Sequence, residues 1–217
     1  MKRYKLLVFD WDGTLMDSAA AIVASLKAAS RDVGLPEPDD ARARHVIGLG
    51  LAEAMAVLQP GIDARGADAL VERYRRHYLA CDHEIALFPG AAETVRELHA
   101  RGHMLGVATG KSRRGLQRVL EATGLGPYFH ATRCADECFS KPHPAMLEEL
   151  MDELGADREE TLMIGDTTHD LQMANNARVA GLGAAYGAHP KAGLLECRPL
   201  ACIDTFAEMH SWLMQNA

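Results

Sequence analysis

The first apolar run of the chain, Leu6 to Phe9, stops at two carboxylates, Asp10 and Asp12. A short continuous run of this kind is typical of a strand that is buried on both faces, as in a parallel sheet. The two acids would then lie in a loop at the carboxyl end of the strand. Open α/β sheets bind their ligands at that edge.

Beyond Ser18 the apolar positions change to a helical spacing, at residues 22, 26, 29 and 33. Glycine and proline end this helix at 34 and 36, and the chain up to Ile85 predicts further helices and no strand. We therefore expect residues 17–86 to form an α-helical cap inserted after the first strand. Residues 1–16 and 87–217 would form the main domain, or core.

After Phe88-Pro89-Gly90 the pattern alternates between helical stripes and short apolar runs. The runs predict strands over residues 103–108, 129–133, 161–164 and 182–185, with the last of them completing the alternation. Strand and helix alternating in this way indicate an α/β fold, a three-layer, Rossmann-like parallel sheet.

Composition narrows the function classes. The chain has 217 residues, of which 48% are hydrophobic, and a net charge of −7. This charge disfavours nucleic acid as a partner. No run reaches the roughly 20 apolar residues of a membrane span, and the N-terminal apolar run is too short for a signal peptide. Five cysteines without metal-like pairing agree with a reducing compartment, so we expect a cytoplasmic protein with no membrane partner. Monomer and homodimer both stay open.

The Asp10-x-Asp12 pair is the first candidate site. Two carboxylates this close repel each other, so a cation or a shared proton is needed to keep both usable at neutral pH. Mg²⁺ suits this task because it prefers oxygen ligands. Gly13 permits a turn with positive φ, and Thr14 offers a hydroxyl and an N–H to an anion. The alternative is an acidic loop without chemistry.

Three later positions carry suitable polar groups at or near predicted strand ends. Thr109 and Gly110 follow the second strand and open a helix, where free N–H groups can bind an anion. Lys141 stands before two prolines and can stabilise charge on a phosphoryl group. Asp166 and Asp170 follow the Thr161–Ile164 run and would share one side of a helix. Helix capping and a solvated lysine are the competing interpretations.

Together these motifs resemble the haloacid dehalogenase superfamily, specifically its helical-cap phosphatases of the phosphoglycolate phosphatase type. The resemblance spans essentially the whole chain. It implies that Asp10 is the nucleophile and Asp12 the general acid and base. It assigns the second motif to Thr109, and the third-motif lysine to Lys141. The sequence departs from the family where an Asn often follows the second-motif Thr, since Gly110 stands there.

From the resemblance we expect a Mg²⁺-dependent phosphatase that acts on a small phosphorylated metabolite, similar to phosphoglycolate, through an aspartyl phosphate. The metal ligands would be an Asp10 carboxylate oxygen, the backbone carbonyl of Asp12, and Asp166. Asp170 would bind the metal directly, bind it through water, or only orient its neighbours.

Alternatives on the same fold differ in how well the residues exclude them. Haloacid dehalogenases lack the second acid, and phosphonoacetaldehyde hydrolases carry Ala at position 12, so Asp12 argues against both. A phosphosugar mutase or a pyrophosphatase would share the same acids. A noncatalytic binding module on this fold is a further alternative, because fold alone does not establish activity.

Substrate choice is expected to lie with the cap, where the signals are weaker. Gly48 and Gly50 would form a substrate-binding loop that closes over the site, since glycine allows close approach to a ligand. An ordinary turn between helices is the alternative. Arg73, Arg75 and Arg76, together with His77, form a basic run that fits a solvated helix face; attraction of an anionic substrate is the alternative. Trp11, between the two acids, is expected to pack under the cap.

Overall fold

The computed structural model describes residues 3–217 and contains one six-stranded sheet in which every strand pair is parallel. The strand order is β3-β2-β1-β4-β5-β6. The strands are β1 (Leu6–Phe9), β2 (Met104–Thr109), β3 (Ala131–Cys134), β4 (Thr161–Gly165), β5 (Ala180–Ala184) and β6 (Cys202–Ile203). Because the chain builds outward from β1 in both directions, the switch point of the sheet lies between β1 and β4.

Ten α-helices accompany the strands in the described part of the chain. They are α1 (Ala19–Asp32), α2 (Asp40–His45), α3 (Leu51–Leu58), α4 (Ala64–Cys81), α5 (Ala91–Ala100), α6 (Arg113–Thr123), α7 (Ala145–Leu154), α8 (Thr168–Ala177), α9 (Lys191–Glu196) and α10 (Phe206–Asn216). Across residues 3–217, none is both long and apolar enough to pass through a membrane.

Alternating side chains of β1 enter two different cores. Leu7 and Phe9 pack on one face of the sheet with residues of α5, α6 and α10, and Leu6 and Val8 pack on the other with α7 and α8. This is the side-chain period of a strand buried on both faces. The parallel three-layer sheet predicted from the sequence is confirmed.

Helices α1 to α4 all lie between β1 and β2, and they share a third apolar cluster. We call residues 17–86 the helical insert. Its long helices α1 and α4 pack against each other, and Leu26, Met55 and Leu70 are among its buried side chains. The insert therefore has its own hydrophobic core.

Two features differ from the sequence-based expectations. The alternation does not end near residue 185, because α9, the two-residue strand β6 and α10 follow it. Strand β6 is too short to give a periodic signal, although Phe206, Met209 and Leu213 do follow a helical spacing. Trp11 does not pack under the insert. It is fully buried in the sheet core, with its ring edge toward Phe129 at 6.2 Å between ring centroids.

Candidate active site

Asp10 lies directly after β1, at the switch point of the sheet. Its backbone N–H donates to the carbonyl of Ile164 on β4 at 2.9 Å, which fixes the acid between the two strands. The ammonium of Lys141 donates to Asp10 Oδ1 at 2.7 Å and to Asp170 Oδ1 at 2.6 Å. The side chains of all three residues are shielded from solvent. Lys141, far away in sequence, thus connects two of the predicted acidic positions.

Burial dominates the protonation of this cluster. It raises the pKa of Asp10 to about 7, against the opposing attraction of Lys141. Burial also works to lower the pKa of Lys141, but the charges of Asp10 and Asp170 outweigh it, so that pKa lies above its usual value. The lysine therefore remains charged at neutral pH. A further cation beside Asp10 would favour its carboxylate form.

Asp166 and Asp170 are fixed by the start of α8. Asp166 accepts from the Thr14 hydroxyl at 2.9 Å and from the Ala188 N–H at 2.7 Å. Asp170 Oδ2 accepts from the N–H and the hydroxyl of Thr167, which is the N-cap of α8. Burial, together with repulsion from Asp10 and Asp170, holds the pKa of Asp166 well above its usual range. The first turn of α8 therefore both caps the helix and positions the two acids of the candidate site.

A divalent cation fits between these carboxylates. Asp10, Asp166 and Asp170 each offer an oxygen, and these oxygens lie within 4.8 Å of one another. Asp10 Oδ2 is buried and has no hydrogen-bond partner among residues 3–217. A buried unpaired carboxylate oxygen is costly unless a cation or donor satisfies it. Both oxygens of Asp166 and both of Asp170 already accept hydrogen bonds, but Asp170 is paired with the ammonium of Lys141 whereas Asp166 has only neutral donors. Asp166 is therefore the better placed of the two to hold a cation, and Asp170 to orient Lys141.

Two glycines make room for the Asp166 carboxylate. Gly13 has φ of +82°, and a Cβ atom there would overlap the Asp166 side chain. A Cβ atom at Gly187 would overlap the same side chain. The sequence analysis did not select Gly187, although its place just after β5, at one more strand end, is a signal of the kind that marked the other positions.

Asp12 faces the insert. Its Oδ1 accepts from the Ser18 hydroxyl at 2.6 Å and pairs with the ammonium of Lys111 at 3.0 Å. Lys111 also donates to the hydroxyl of Tyr78 on α4 at 3.1 Å, and its ammonium lies 4.9 Å from the centre of that ring. Ser18, Lys111 and Tyr78 thus orient the second acid. None of these three was selected from the sequence.

The predicted anion donors have different surroundings. The Thr14 hydroxyl donates to Asp166, and the Gly13 N–H donates to Met16 O at 2.8 Å, so both are engaged within the protein. Thr109 is fully buried at the end of β2, where its hydroxyl oxygen accepts from the Lys111 N–H at 3.2 Å. Assignment of Gly13, Thr14 and Thr109 to a bound phosphoryl group stays a prediction.

The loop 48–50 between α2 and α3 brings the insert onto the core. A Cβ atom at Gly110 would overlap the carbonyl oxygens of Gly48 and Leu49, and the Gly50 N–H donates to the Ser140 hydroxyl at 2.9 Å. The loop is therefore both a turn between helices and a contact over the site. Its close approach gives a physical reason for glycine at position 110.

Two core histidines hold the insert at the end of α2. Nε2 of His169 lies 2.7 Å from the carbonyl oxygen of His45, and Nε2 of His189 lies 3.2 Å from the same oxygen. Burial lowers the pKa of both imidazoles, that of His189 to about 4. Nδ1 of His189 accepts from the Thr168 N–H, so its Nε2 carries the proton. We call these two imidazoles and the carbonyl the histidine clamp.

A cavity of about 380 Å³ separates the insert from the core. Asp10 and Asp12 line it together with residues of α1, α3, α4 and α6. The catalytic candidates of the core are therefore open to a ligand that the insert covers.

The sheet topology and this cluster define an α/β protein whose buried carboxylates meet at a topological switch point. A family model described as haloacid dehalogenase-like hydrolase matches residues 7–184, so the chain belongs to this family.

The similarity to known proteins agrees with this family assignment. The chain is 37% identical to "Probable phosphatase IndB" of Dickeya dadantii, over 94% of this chain and 91% of the relative. It is 32% identical to a phosphoglycolate phosphatase of Agrobacterium fabrum, over 97% and 93% of the two chains. A solved hydrolase from Pseudomonas syringae shares the fold, with a TM-score of 0.89 at 24% identity over 98% of each chain. The enzyme is a phosphatase of this family.

Proposed function

We propose that the protein is a Mg²⁺-dependent phosphatase that hydrolyses a small phosphate monoester through an aspartyl phosphate on Asp10. The buried cluster of Asp10, Lys141 and Asp166 carries this proposal. Asp10 presents one oxygen to Lys141 and leaves the other without a protein partner. The phosphoglycolate phosphatase among the relatives supports a small monoester as the substrate.

In the first step a carboxylate oxygen of Asp10 attacks phosphorus while the bond to the leaving oxygen breaks. Asp12 protonates the leaving group and then removes a proton from the water that releases phosphate. Ser18 and Lys111 hold the Asp12 carboxylate in place for both proton transfers. Lys141 stays charged throughout and offsets negative charge on Asp10 and on the phosphoryl group.

The Asp10 and Asp166 carboxylates, with the backbone carbonyl of Asp12, would hold Mg²⁺. When bound, the cation neutralises charge on the phosphoryl oxygens and aligns them for attack. The unpartnered Asp10 oxygen and the all-oxygen donor set fit a hard cation.

The proposal is tested by phosphate release from a panel of monoesters and pyrophosphate, with Mg²⁺ or with EDTA. We expect Mg²⁺-dependent release that falls at least about 10³-fold in Asp10→Asn, because the nucleophile is lost. Asp17→Asn, an exposed acid in the same segment, is the matched control and should stay near wild type. Full activity of Asp10→Asn would falsify the assignment. Release from pyrophosphate alone would favour the pyrophosphatase alternative.

A further inference from the structure

The cavity beyond Asp10 and Asp12 is larger and more apolar than a two-carbon leaving group requires. Its volume of about 380 Å³ lies within the range of roughly 300–1,000 Å³ found for pockets that enclose drug-sized ligands. Apolar side chains of the insert line it, among them Ile22, Leu26, Leu49 and Leu51. A leaving group as short and polar as that of phosphoglycolate would leave most of this surface in contact with water.

The aromatic and aliphatic lining continues toward the mouth of the cavity. Tyr74 and Tyr78 of α4 are stacked, with 5.8 Å between ring centroids and 22° between ring planes. Leu79, also on α4, lines the cavity with 47% of its surface exposed. A large exposed apolar side chain beside an apolar pocket favours contact with a ligand. An apolar segment of a substrate would therefore gain free energy along this wall.

Arginines from two facing helices stand around the same mouth. Arg75 comes from α4, and Arg114 and Arg118 come from α6. Arg118 pairs with Asp82 at 2.5 Å. Arg75 and Arg114 have neither an ion pair nor a side-chain hydrogen bond within the described chain. Their positive charges are therefore available to an anion.

The other charges near the cavity do not neutralise Arg75 and Arg114. The chain as a whole carries a net charge of −7, and the cavity is also lined by Asp82, which pairs with Arg118, and by Asp136, which accepts from the Arg113 N–H. Two unpaired arginines on one cavity therefore contrast with the rest of the protein. The other cation that lines the cavity near the acids, Lys111, is already paired with Asp12 and Tyr78. An anion on the leaving group of a bound substrate would therefore find unpaired positive charge at Arg75 and Arg114.

We propose that Arg75 and Arg114 form a second anion subsite, and that the preferred substrate is a phosphate monoester whose leaving group joins an apolar stretch to a terminal anion. This inference rests on the proposed function and names the substrate class of that same cavity. The terminal anion is a carboxylate or a second phosphate, since arginine binds both. Phosphoglycolate is then a truncated form of the preferred substrate.

A chain-length series tests the proposal. The probes are ω-carboxyalkyl phosphates, of which phosphoglycolate is the shortest, each paired with the alkyl phosphate of equal length that lacks the carboxylate. We expect kcat/KM to rise by about two- to fourfold for each added methylene until the cavity is filled, because each methylene is buried. At the best length the carboxylate should add about tenfold. Para-carboxyphenyl and ω-phosphoalkyl esters extend the series to rings and to a second phosphate.

Variants separate the subsite from the reaction centre. Arg75→Ala and Arg114→Ala should each lower kcat/KM for the long carboxylate about fivefold to tenfold and leave the matched alkyl phosphate unchanged. Lysine at either position should restore part of the loss. Arg76→Ala, an exposed arginine of α4 that does not line the cavity, is the control and should change neither substrate.

The outcomes are distinguishable from those for the proposed function. A series in which phosphoglycolate is the best ester, or in which the carboxylate advantage survives both arginine variants, overturns the second subsite while Mg²⁺-dependent turnover still supports the phosphatase. Absence of turnover for every ester contradicts both proposals.

Discussion

The core and the helical insert hold their cavity-facing side chains in different ways. Near the strand ends, the side chains of Asp10, Asp166 and Asp170 are fully buried. The ammonium of Lys141 donates a hydrogen bond to Asp10, and backbone N–H groups donate to Asp166 and Asp170. In the insert, α4 buries only Leu70 and Tyr78 of its 18 residues. The proposed reaction centre in the core is therefore held by buried hydrogen bonds, whereas the insert contributes a long helix with few fully buried side chains.

This difference follows from what each region must do. Phosphoryl transfer depends on positioned charge, which a rigid and water-poor site supplies. Selection among substrates depends on the wall that touches the leaving group. That wall is joined to the core by separate contacts, which are the loop 48–50, the histidine clamp, the pairs Lys111–Tyr78 and Arg118–Asp82, and the hydrogen bond from Ser18 to Asp12. Substitutions in the core should accordingly affect stability and kcat, whereas substitutions in the insert or at its contacts should mainly affect KM.

The largest difference in stability should come from removing the buried ammonium group of Lys141. Lys141→Met leaves Asp10 and Asp170 buried without their shared partner, and we expect the free energy of unfolding to fall by about 3 kcal/mol or more, together with loss of activity. Urea denaturation measures the stability. Lys191→Met breaks the exposed pair with Asp204 and should leave the free energy of unfolding close to the wild-type value. Equal losses in the two variants would contradict the rigid-core account.

Filling the space under the insert loop should affect binding more than stability. Gly110→Ala places a methyl group against the carbonyls of Gly48 and Leu49 and should lift the loop. We expect KM to rise about tenfold, with a smaller change in kcat, since the acids are not displaced. Steady-state kinetics measure both. Gly126→Ala, where an added Cβ would lie 3.9 Å from Leu120 at the nearest, is the control. An unchanged KM would mean that the loop does not act on the substrate.

The smallest expected effect lies in the histidine clamp. His169→Ala or His189→Ala removes one donor to the His45 carbonyl, which costs about 1 kcal/mol of contact between insert and core. We expect a fewfold rise in KM and faster amide hydrogen exchange over residues 46–50. Glutamine at either position can still donate and should recover part of the protection. Unaltered exchange in both alanine variants would show that the clamp does not hold the loop.

The sequence allowed much of the core to be predicted because its signals are local. Each acidic candidate follows a short apolar run, Lys141 stands directly before Pro142, and the carboxyl ends of parallel strands converge on one edge. Asp10 and Asp166 could therefore be placed together before any contact was known. Strand β6, with only two residues, has no such signal.

The partners of those acids could not be predicted in the same way. Lys111 and Ser18 act through side-chain contacts with Asp12 that exist only in the folded chain, whereas Gly187 carried a strand-end signal that the sequence analysis did not use. Trp11 shows the same limit, because its place beside two acids favours the insert while its ring packs in the sheet core. Long-range packing decides such positions, and one sequence does not record it.

Trapping the covalent intermediate tests the central claim most directly. In Asp12→Asn the base that activates water is lost, so a phosphoryl group transferred to Asp10 should accumulate when Mg²⁺ and an activated monoester with a good leaving group are supplied. Rapid acid quenching followed by peptide mass spectrometry would locate it. The account predicts close to one phosphoryl group per chain on the peptide that contains Asp10, and none in the double variant with Asp10→Asn. Turnover by the wild type without any phosphorylated Asp10 in either protein would contradict it.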